Sequence, residues 1–449
     1  MQFARNRTSR SKVYDGKPVL LGFLLFVQFA QAAHGGELAF GVGYVGEYSD
    51  NIRRSPVNPQ SEWTNSAIAS AAYRENGPSL DAHLQAQAEY RDYRNDVYLD
   101  TPYYYADASL LWKILPQRLN WILVDRYDQT IRDITLSETP DNLVNSNVFT
   151  TGPDLFIRLG SVNTLVFGAR YGEASYGTGG VDNTRIGLSA SWQYAVNRET
   201  TSSLNYQGES VEYENEISNY IRNDVFIRVD TRQARTLFLL DLGYTQIDRD
   251  LSGEVDGYLA RLTWTQQLTF GSSAGVLLGS EFQDAGSTLL ATATSPGATT
   301  GATSAPPTSG DVTNDLFYTK RAEVYYDYTG NSYGLNPRIF FRDIDYEIAQ
   351  RDRQESGGLL GATYNPSSLL AATLYGSYVD THYRSFSRDD RESEAGIRFL
   401  YRANSSLNIT LDGRKTWRYS TDPSREFTES RVLLSLLYST SPLSSPARR

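Results

Sequence analysis

Arginine outnumbers lysine 37 to 5 in this chain, and many of the arginines fall on the polar side of segments in which every second residue is apolar. A guanidinium keeps its charge at any working pH and donates in a planar fork, so it can hold a carboxylate, a sulfate or several hydroxyls of a sugar. The candidates are Arg91, Arg170, Arg185, Arg222, Arg228, Arg261, Arg338, Arg342, Arg398, Arg402 and Arg414, with Asp81, His83, Glu89, Asp241 and Asp412 on the same faces. Two kinds of chemistry fit them. They can guide acidic or hydroxyl-rich saccharides, or they can neutralise one another in cross-strand ladders that stiffen a wall. A local candidate is Asp50-Asn51-Ile52-Arg53-Arg54, where Asp50, Asn51 and Arg53 either shape a turn or touch a polysaccharide or a cation.

Catalysis finds little support. The chain has no cysteine and three histidines. His34 stands at the start of the mature chain, His83 on a polar strand face and His382 beside Thr381 and Ser385. No nucleophile elbow, zinc-binding helix or phosphate-cradling loop is present. Gly177-Thr178-Gly179-Gly180 lacks the strand and helix that would make it a nucleotide loop. No enzyme activity, metal site or cofactor is expected.

The elements that must position the arginines are strands. Leu80, Ala82, Leu84, Ala86, Ala88 and Tyr90 alternate with Asp81, His83, Gln85, Gln87, Glu89 and Arg91, and the same period of two recurs at 185–194, 258–265, 394–402 and 407–414. Polar connectors punctuate the pattern near 76, 116, 161, 198, 233, 270, 330, 366 and 404. Most steps are about 35 to 45 residues, the length of two membrane-crossing strands with one tight turn and one longer loop. Nine turns imply ten hairpins, or about 20 antiparallel strands with a range of 18 to 22, running from near Leu38 to near Tyr438. The single long step contains a Gly/Ala/Thr/Pro-rich insert, and 285–315 is expected to be a long flexible extracellular loop, with inward folding that narrows a pore as the alternative.

The amino-terminal segment carries Arg5, Arg7, Arg10, Lys12 and Lys17, then an apolar run from Val19 to Ala30, then Ala30-Gln31-Ala32. That order is a secretory signal with cleavage near Ala32, so residues 1–32 are expected to be removed. The remainder has 37 basic against 51 acidic side chains, a net charge of −14, which argues against a nucleic-acid partner. At 40% hydrophobic residues and a mean hydropathy of −0.44, the chain is too polar for a bundle of membrane helices.

A soluble sandwich also alternates. The apolar rows here, however, are uncharged and rich in Leu, Ala, Tyr and Trp, with aromatics near strand ends at Tyr44 and Tyr48, Tyr90 and Tyr93, and Tyr103-Tyr104-Tyr105. Such placing suits girdles at headgroup depth. A sheet of this size also has costly edges unless it closes, and in lipid closure is compulsory. The expected fold is therefore all-β, a transmembrane up-and-down antiparallel β-barrel over 33–439, followed by a tail at 440–449. Its place is the bacterial outer membrane, its exterior partner is lipid, and its lumen is open or loop-plugged.

The first strand and its exit, Phe40-Gly41-Val42-Gly43-Tyr44 and Tyr48-Ser49-Asp50-Asn51-Ile52-Arg53-Arg54-Ser55-Pro56, resemble the opening of the second putative β-barrel porin family, which includes EpsL-type outer-membrane proteins of exopolysaccharide operons. The similarity continues along the mature chain as a pattern of Tyr/Arg/Asp-rich strands. The resemblance implies a barrel that supports exopolysaccharide export, with polysaccharide or small polar solutes as cargo and periplasmic export components as neighbours. A general or oligosaccharide-selective diffusion porin and a structural or adhesive surface barrel are the alternatives. The departure from the common pattern is the carboxyl end, where Val432, Leu434, Leu436 and Tyr438 precede a tail in place of a terminal aromatic residue.

Overall fold

Alternation of β-branched, aromatic and polar residues, broken by short Gly/Asn/Pro/Ser connectors, builds one sheet. The computed structural model describes residues 36–215, 218–251, 253–294 and 312–440; the expected signal segment and residues 441–449 of the tail lie outside them. The first strands are β1 (Glu37–Ser49), β2 (Glu62–Asn76), β3 (Leu80–Tyr93), β4 (Thr101–Leu115), β5 (Leu119–Ile131), β6 (Leu143–Arg158) and β7 (Asn163–Tyr176). They are followed by β8 (Asn183–Ala195), β9 (Thr200–Tyr213), β10 (Tyr220–Arg232), β11 (Thr236–Arg249), β12 (Gly253–Thr269), β13 (Ser272–Gln283) and helix α1 (Ala285–Thr294). The rest are β14 (Phe317–Thr329), β15 (Tyr333–Leu335), β16 (Arg338–Tyr346), β17 (Arg353–Tyr364), β18 (Leu370–Tyr383), β19 (Arg388–Arg402), β20 (Leu407–Ser420) and β21 (Phe427–Ser439).

Consecutive strands pair antiparallel, and β1 pairs with β21 from Gly41↔Ser439 to Ser49↔Arg431, which closes the sheet. Strands β15 and β16 are two halves of one crossing, so the 21 strands make twenty crossings. Pro337 explains the break: it has no N–H to donate, and its carbonyl accepts from Tyr326 instead. Nine connectors on one side have two to five residues and fall at the positions read from the sequence. Those on the other side run from three residues (250–252) to 33 (284–316). Closure excludes the sandwich.

Burial is inverted relative to a soluble protein. On β8, Ile186 and Leu188 are 58% and 63% exposed while Arg185 is 3% exposed. Apolar side chains left uncovered on the outside, with charged ones enclosed, are stable only if the outside faces lipid. Tyr44, Tyr90 and Trp121 are exposed on that outer surface. Three residues expected in the girdles are instead inside. Tyr93 is buried with its hydroxyl 3.2 Å from that of Tyr103, and Tyr105, opposite Gln87, shares the inner face of Glu89. The cause is parity: Tyr93 lies an odd number of residues from Tyr90, and Tyr103 and Tyr105 flank the outward Tyr104. A charge on the outer face should be costly. Leu188→Arg is expected to destabilise the barrel by about 2–4 kcal/mol near the bilayer midplane, measured by urea titration in lipid vesicles; Leu188→Val should stay near wild type.

One part of the wall bends inward. β12 pairs with β13 only as far as Ala260↔Ser280. Beyond that point the Tyr258 carbonyl accepts from the Tyr318 hydroxyl at 2.8 Å, and Phe282 packs with Val211, Tyr213, Tyr220 and Ile247 from the inner faces of β9, β10 and β11. The chain then enters α1. Of the segment expected as a flexible extracellular loop, residues 285–294 are helical, with Ala285 and Leu289 packed against Val144, Val148, Ala174 and Tyr176 of β6 and β7. Apolar side chains at the upper ends of β6 and β7 give this insert a surface to bury against. Residues 295–311 lie outside the described ones.

Candidate functional site in the barrel lumen

The even-numbered and odd-numbered faces resolve into a lipid side and a lumen side, and the sixteen wall candidates stand on the lumen side. Near the short-turn end, Asp81 meets Lys113 at 2.7 Å, and His83 follows on the same face. Glu89 accepts from Arg91 at 2.8 Å, and the Arg91 guanidinium lies 3.9 Å from the Tyr103 ring centroid. Arg170 bonds Asp154 at 2.7 Å and the Pro153 carbonyl at 2.9 Å. Arg222 bonds Asp224 at 3.0 Å and the Phe282 carbonyl at 2.9 Å.

Farther round, Arg228 holds Asp241 with two bonds of 2.6 and 2.7 Å. Arg261 bonds Glu281 at 2.6 Å and approaches Asp241 at 3.6 Å. Arg338 reaches Glu323 at 3.3 Å, and Arg342 reaches Glu355 at 3.5 Å. Arg398 bonds Asp412 at 2.8 Å, where the Tyr375 hydroxyl also donates. Arg414 stands opposite Arg431 in the β20–β21 register. Arg402 is at the short-turn rim and donates to the Ser368 carbonyl.

The loop motif turns inward on the protein itself. Asp50 accepts from the Ser430 amide at 2.7 Å, Asn51 donates to the carbonyls of Ser55 and Thr428, and Arg53 donates to the Val97 carbonyl. Ile52 is buried with Tyr93 and Tyr98. These contacts tie the exit of β1 to β21 and to the loop before β4, so the three side chains are engaged where the barrel closes.

Two ties cross the extracellular mouth, the first where the long insert begins. Asp284, fully enclosed, accepts from Arg185 at 2.6 Å and from the Tyr220 hydroxyl, and it caps α1 by accepting from the Ser287 amide at 2.7 Å. Arg185 also bonds Asn183 and approaches Glu209 at 3.5 Å. On another side, the loop 132–142 reaches β18–β20: Arg388 donates to the Thr135 carbonyl at 3.0 Å and Arg418 to the Ser137 hydroxyl at 3.2 Å. Glu281, Arg321, Glu355 and Arg353 were also missed as wall residues. The strands of Glu281, Arg353 and Glu355 alternate less cleanly, with glycines at Gly275 and Gly279 on β13 and at Gly357 and Gly361 on β17. The remaining signal was the charge at alternate positions, Arg353 and Glu355, just after a connector.

A closed antiparallel barrel of twenty crossings with an apolar outside and a charged inside is an outer-membrane, porin-like barrel. The model of the family described as Putative beta-barrel porin 2 matches residues 358–439, from within β17 to the end of β21. Solved structures similar to the chain include the FrpB iron transporter from Neisseria meningitidis (F5-1 variant), at 11% identity, 89% of this chain, 82% of that chain and a TM-score of 0.48. The siderophore receptor PirA from Pseudomonas aeruginosa has 10% identity, covers 90% of this chain and 80% of that one, and gives a TM-score of 0.47. OccK2 (OpdF) from Pseudomonas aeruginosa has 12% identity, with 90% and 98% covered and a TM-score of 0.41. No curated protein matches the chain.

Proposed function

We propose that this barrel is a passive conduit for saccharides across the bacterial outer membrane and supports exopolysaccharide export, its rows of Arg, Asp and Tyr lining the route. The observation that carries the reading is the sharing of carboxylates between arginines on the lumen face, as at Asp241 and Glu281. A shared carboxylate leaves donors and acceptors side by side along the wall. A hydroxyl-rich chain needs both, and it can exchange one contact for the next without a deep trap. Outer-membrane lipid surrounds the barrel, and export by a cleaved signal near Ala32 would bring it there.

The second reading, a diffusion porin for small polar solutes, is favoured by the two ties across the mouth, which narrow the route for a polymer. Planar bilayers loaded with the purified chain test both. Conductance that falls in proportion to the length of added neutral oligosaccharide supports the saccharide conduit, a steady current that longer oligosaccharides leave unblocked because they do not enter supports the porin, and the lack of any current supports a structural barrel. Replacing Arg398 and Arg402 together with serine is expected to shift the reversal potential toward cations while heat-modifiable migration stays as in wild type. Unchanged selectivity would take these two arginines out of the conducting path.

A further inference from the structure

We propose that the outer face of β19 and β20, at its extracellular end, holds a docking site for the phosphate of an outer-leaflet glycolipid, formed by Arg391 and Lys415. The inference stands apart from the conduit reading, because it concerns the lipid side of the wall. Its basis is where the cations fall. Register places Tyr378, Ser393 and Trp417 in one row across β18–β20. Exposed Tyr378, Ile397 and Phe399 mark the face of that row as the lipid side. Arg391 and Lys415 share this face, Arg391 two residues above the row and Lys415 two below it. Among the described strand residues, Arg391 is the one arginine on the lipid side, and Lys320 is the one further lysine or arginine there.

A cation that faces acyl chains is costly, and a long side chain lowers that cost by reaching up to the headgroups. Lys415 is exposed, and its Nζ lies 5.7 Å from the centroid of the Trp417 ring, one step toward the extracellular side. Among the described residues no carboxylate stands within ion-pair distance of this ammonium. Arg391 has one loose partner, Asp380 at 3.7 Å, and both side chains are exposed, 64% and 37%. Such a contact contributes little and is readily exchanged. Both cations are therefore open to a stronger acceptor.

Lys415 pairs with Ala395, four residues from Arg391. Four residues of strand span about 13 Å, a gap that one arginine and one lysine side chain can close onto a single phosphate, with the Ser393 hydroxyl between them as a further donor. The phosphate would accept the guanidinium fork on one side and the ammonium, a compact charge, on the other. The surroundings suit a lipid better than a free anion. Ala395 and Gly413 adjoin Lys415 on the membrane side, and a Cβ built at Gly413 would meet nothing within 4 Å. That recess offers room to an acyl chain, while exposed Tyr378 and Tyr419 flank the seat at the level of a sugar headgroup. A free anion would use the two cations alone; a phosphorylated glycolipid would use the recess and the tyrosines as well.

The test is native mass spectrometry of the full chain released from micelles that contain added lipid. Wild type is expected to retain one bisphosphorylated lipid A in preference to lipid A stripped of its phosphates and to phosphatidylglycerol. Arg391→Gln with Lys415→Gln should bind it about tenfold more weakly. Lys320→Gln, which removes the remaining outer-face cation, on β14 opposite Asp343, should leave retention unchanged. Should the double variant lose heat-modifiable migration, Lys415→Gln alone is used. Equal retention by the variant, equal retention of the phosphate-free lipid, or an equal loss in Lys320→Gln overturns the site. Retention of phosphatidylglycerol as strong as that of lipid A, or displacement by inorganic phosphate at matching concentration, overturns the glycolipid as its occupant.

Discussion

Asp284→Asn is expected to loosen the extracellular mouth, destabilise the folded barrel by about 3–5 kcal/mol and raise single-channel conductance. The size of the effect follows from what is left behind. Arg185 and Asp284 are both enclosed, and removal of one member of a buried pair strands the other's charge without solvent or a full partner. Arg185 would keep Asn183 and a longer approach to Glu209, while α1 would lose its charged cap and Tyr220 an acceptor. Replacing both members with apolar residues, Arg185→Met with Asp284→Leu, should recover most of the stability, because neither charge then needs a partner. Conductance separates the strap from the wall: both variants should conduct more than wild type, since both release α1 from β8. An Asp284→Asn barrel with unchanged conductance and an unchanged melting temperature would show that the tie does not hold the mouth.

The pH dependence of this tie has a definite sign. Burial alone pushes the Asp284 carboxyl up, but the Arg185 guanidinium, the Ser287 amide and the Tyr220 hydroxyl outweigh it and hold the group below the 3.8 of an unperturbed aspartate. A depressed folded-state value stabilises fully above the unfolded value and loses that contribution as pH falls through the folded one. The mouth should keep its neutral-pH conductance down to the ordinary aspartate range and open only in stronger acid.

How much of this was legible before the structure divides along physical lines. Period-two alternation is a local property, and it was enough to separate the two faces of β3, β8, β19 and β20 and to locate all nine short turns. It also placed Arg228, Asp241 and Arg261 on one face. It could not tell that the first two form a two-bond pair while Arg261 turns to Glu281, because partner choice depends on the register between strands. Tyr93, Tyr103 and Tyr105 were assigned by their nearness to strand ends, and parity overruled position. The hardest feature was Asp284. Its partner Arg185 is 99 residues away in the chain, and the two meet only because β13 leaves β12 above Ser280. A Gly/Ala/Thr-rich composition signals weak self-folding, but it carries no information about an apolar surface elsewhere on which its first turns can pack. Asp50-Asn51-Ile52-Arg53-Arg54 was legible as a motif at a strand exit; its partners, Thr428, Glu429 and Ser430, lie at the other end of the chain.

Those partners set the last prediction: Glu429→Ala should weaken the closure of the barrel by about 3–5 kcal/mol. The β1–β21 ladder is the pairing with the greatest separation in sequence, so it closes the largest loop and gains nothing from neighbouring residues during folding. Its last pair is Ser49↔Arg431, and Glu429 draws the seam together there. The carboxylate is 1% exposed and accepts from the Ser49 hydroxyl at 2.6 Å, from Arg431 at 2.6 Å and from Arg54 at 3.0 Å. Truncation leaves two largely buried guanidiniums with Glu47 as the remaining carboxylate near Arg431, at 3.5 Å. Asn51→Ala, which removes neutral bonds to Ser55 and Thr428, should cost less, about 1–3 kcal/mol. The measurement is the temperature at which the folded band converts to the unfolded one in detergent electrophoresis, with urea-driven refolding into vesicles for the magnitude. The order wild type above Asn51→Ala above Glu429→Ala is expected. A Glu429→Ala barrel that converts at the wild-type temperature would mean that the nine backbone pairs of the seam hold it closed without the side chains that converge on it.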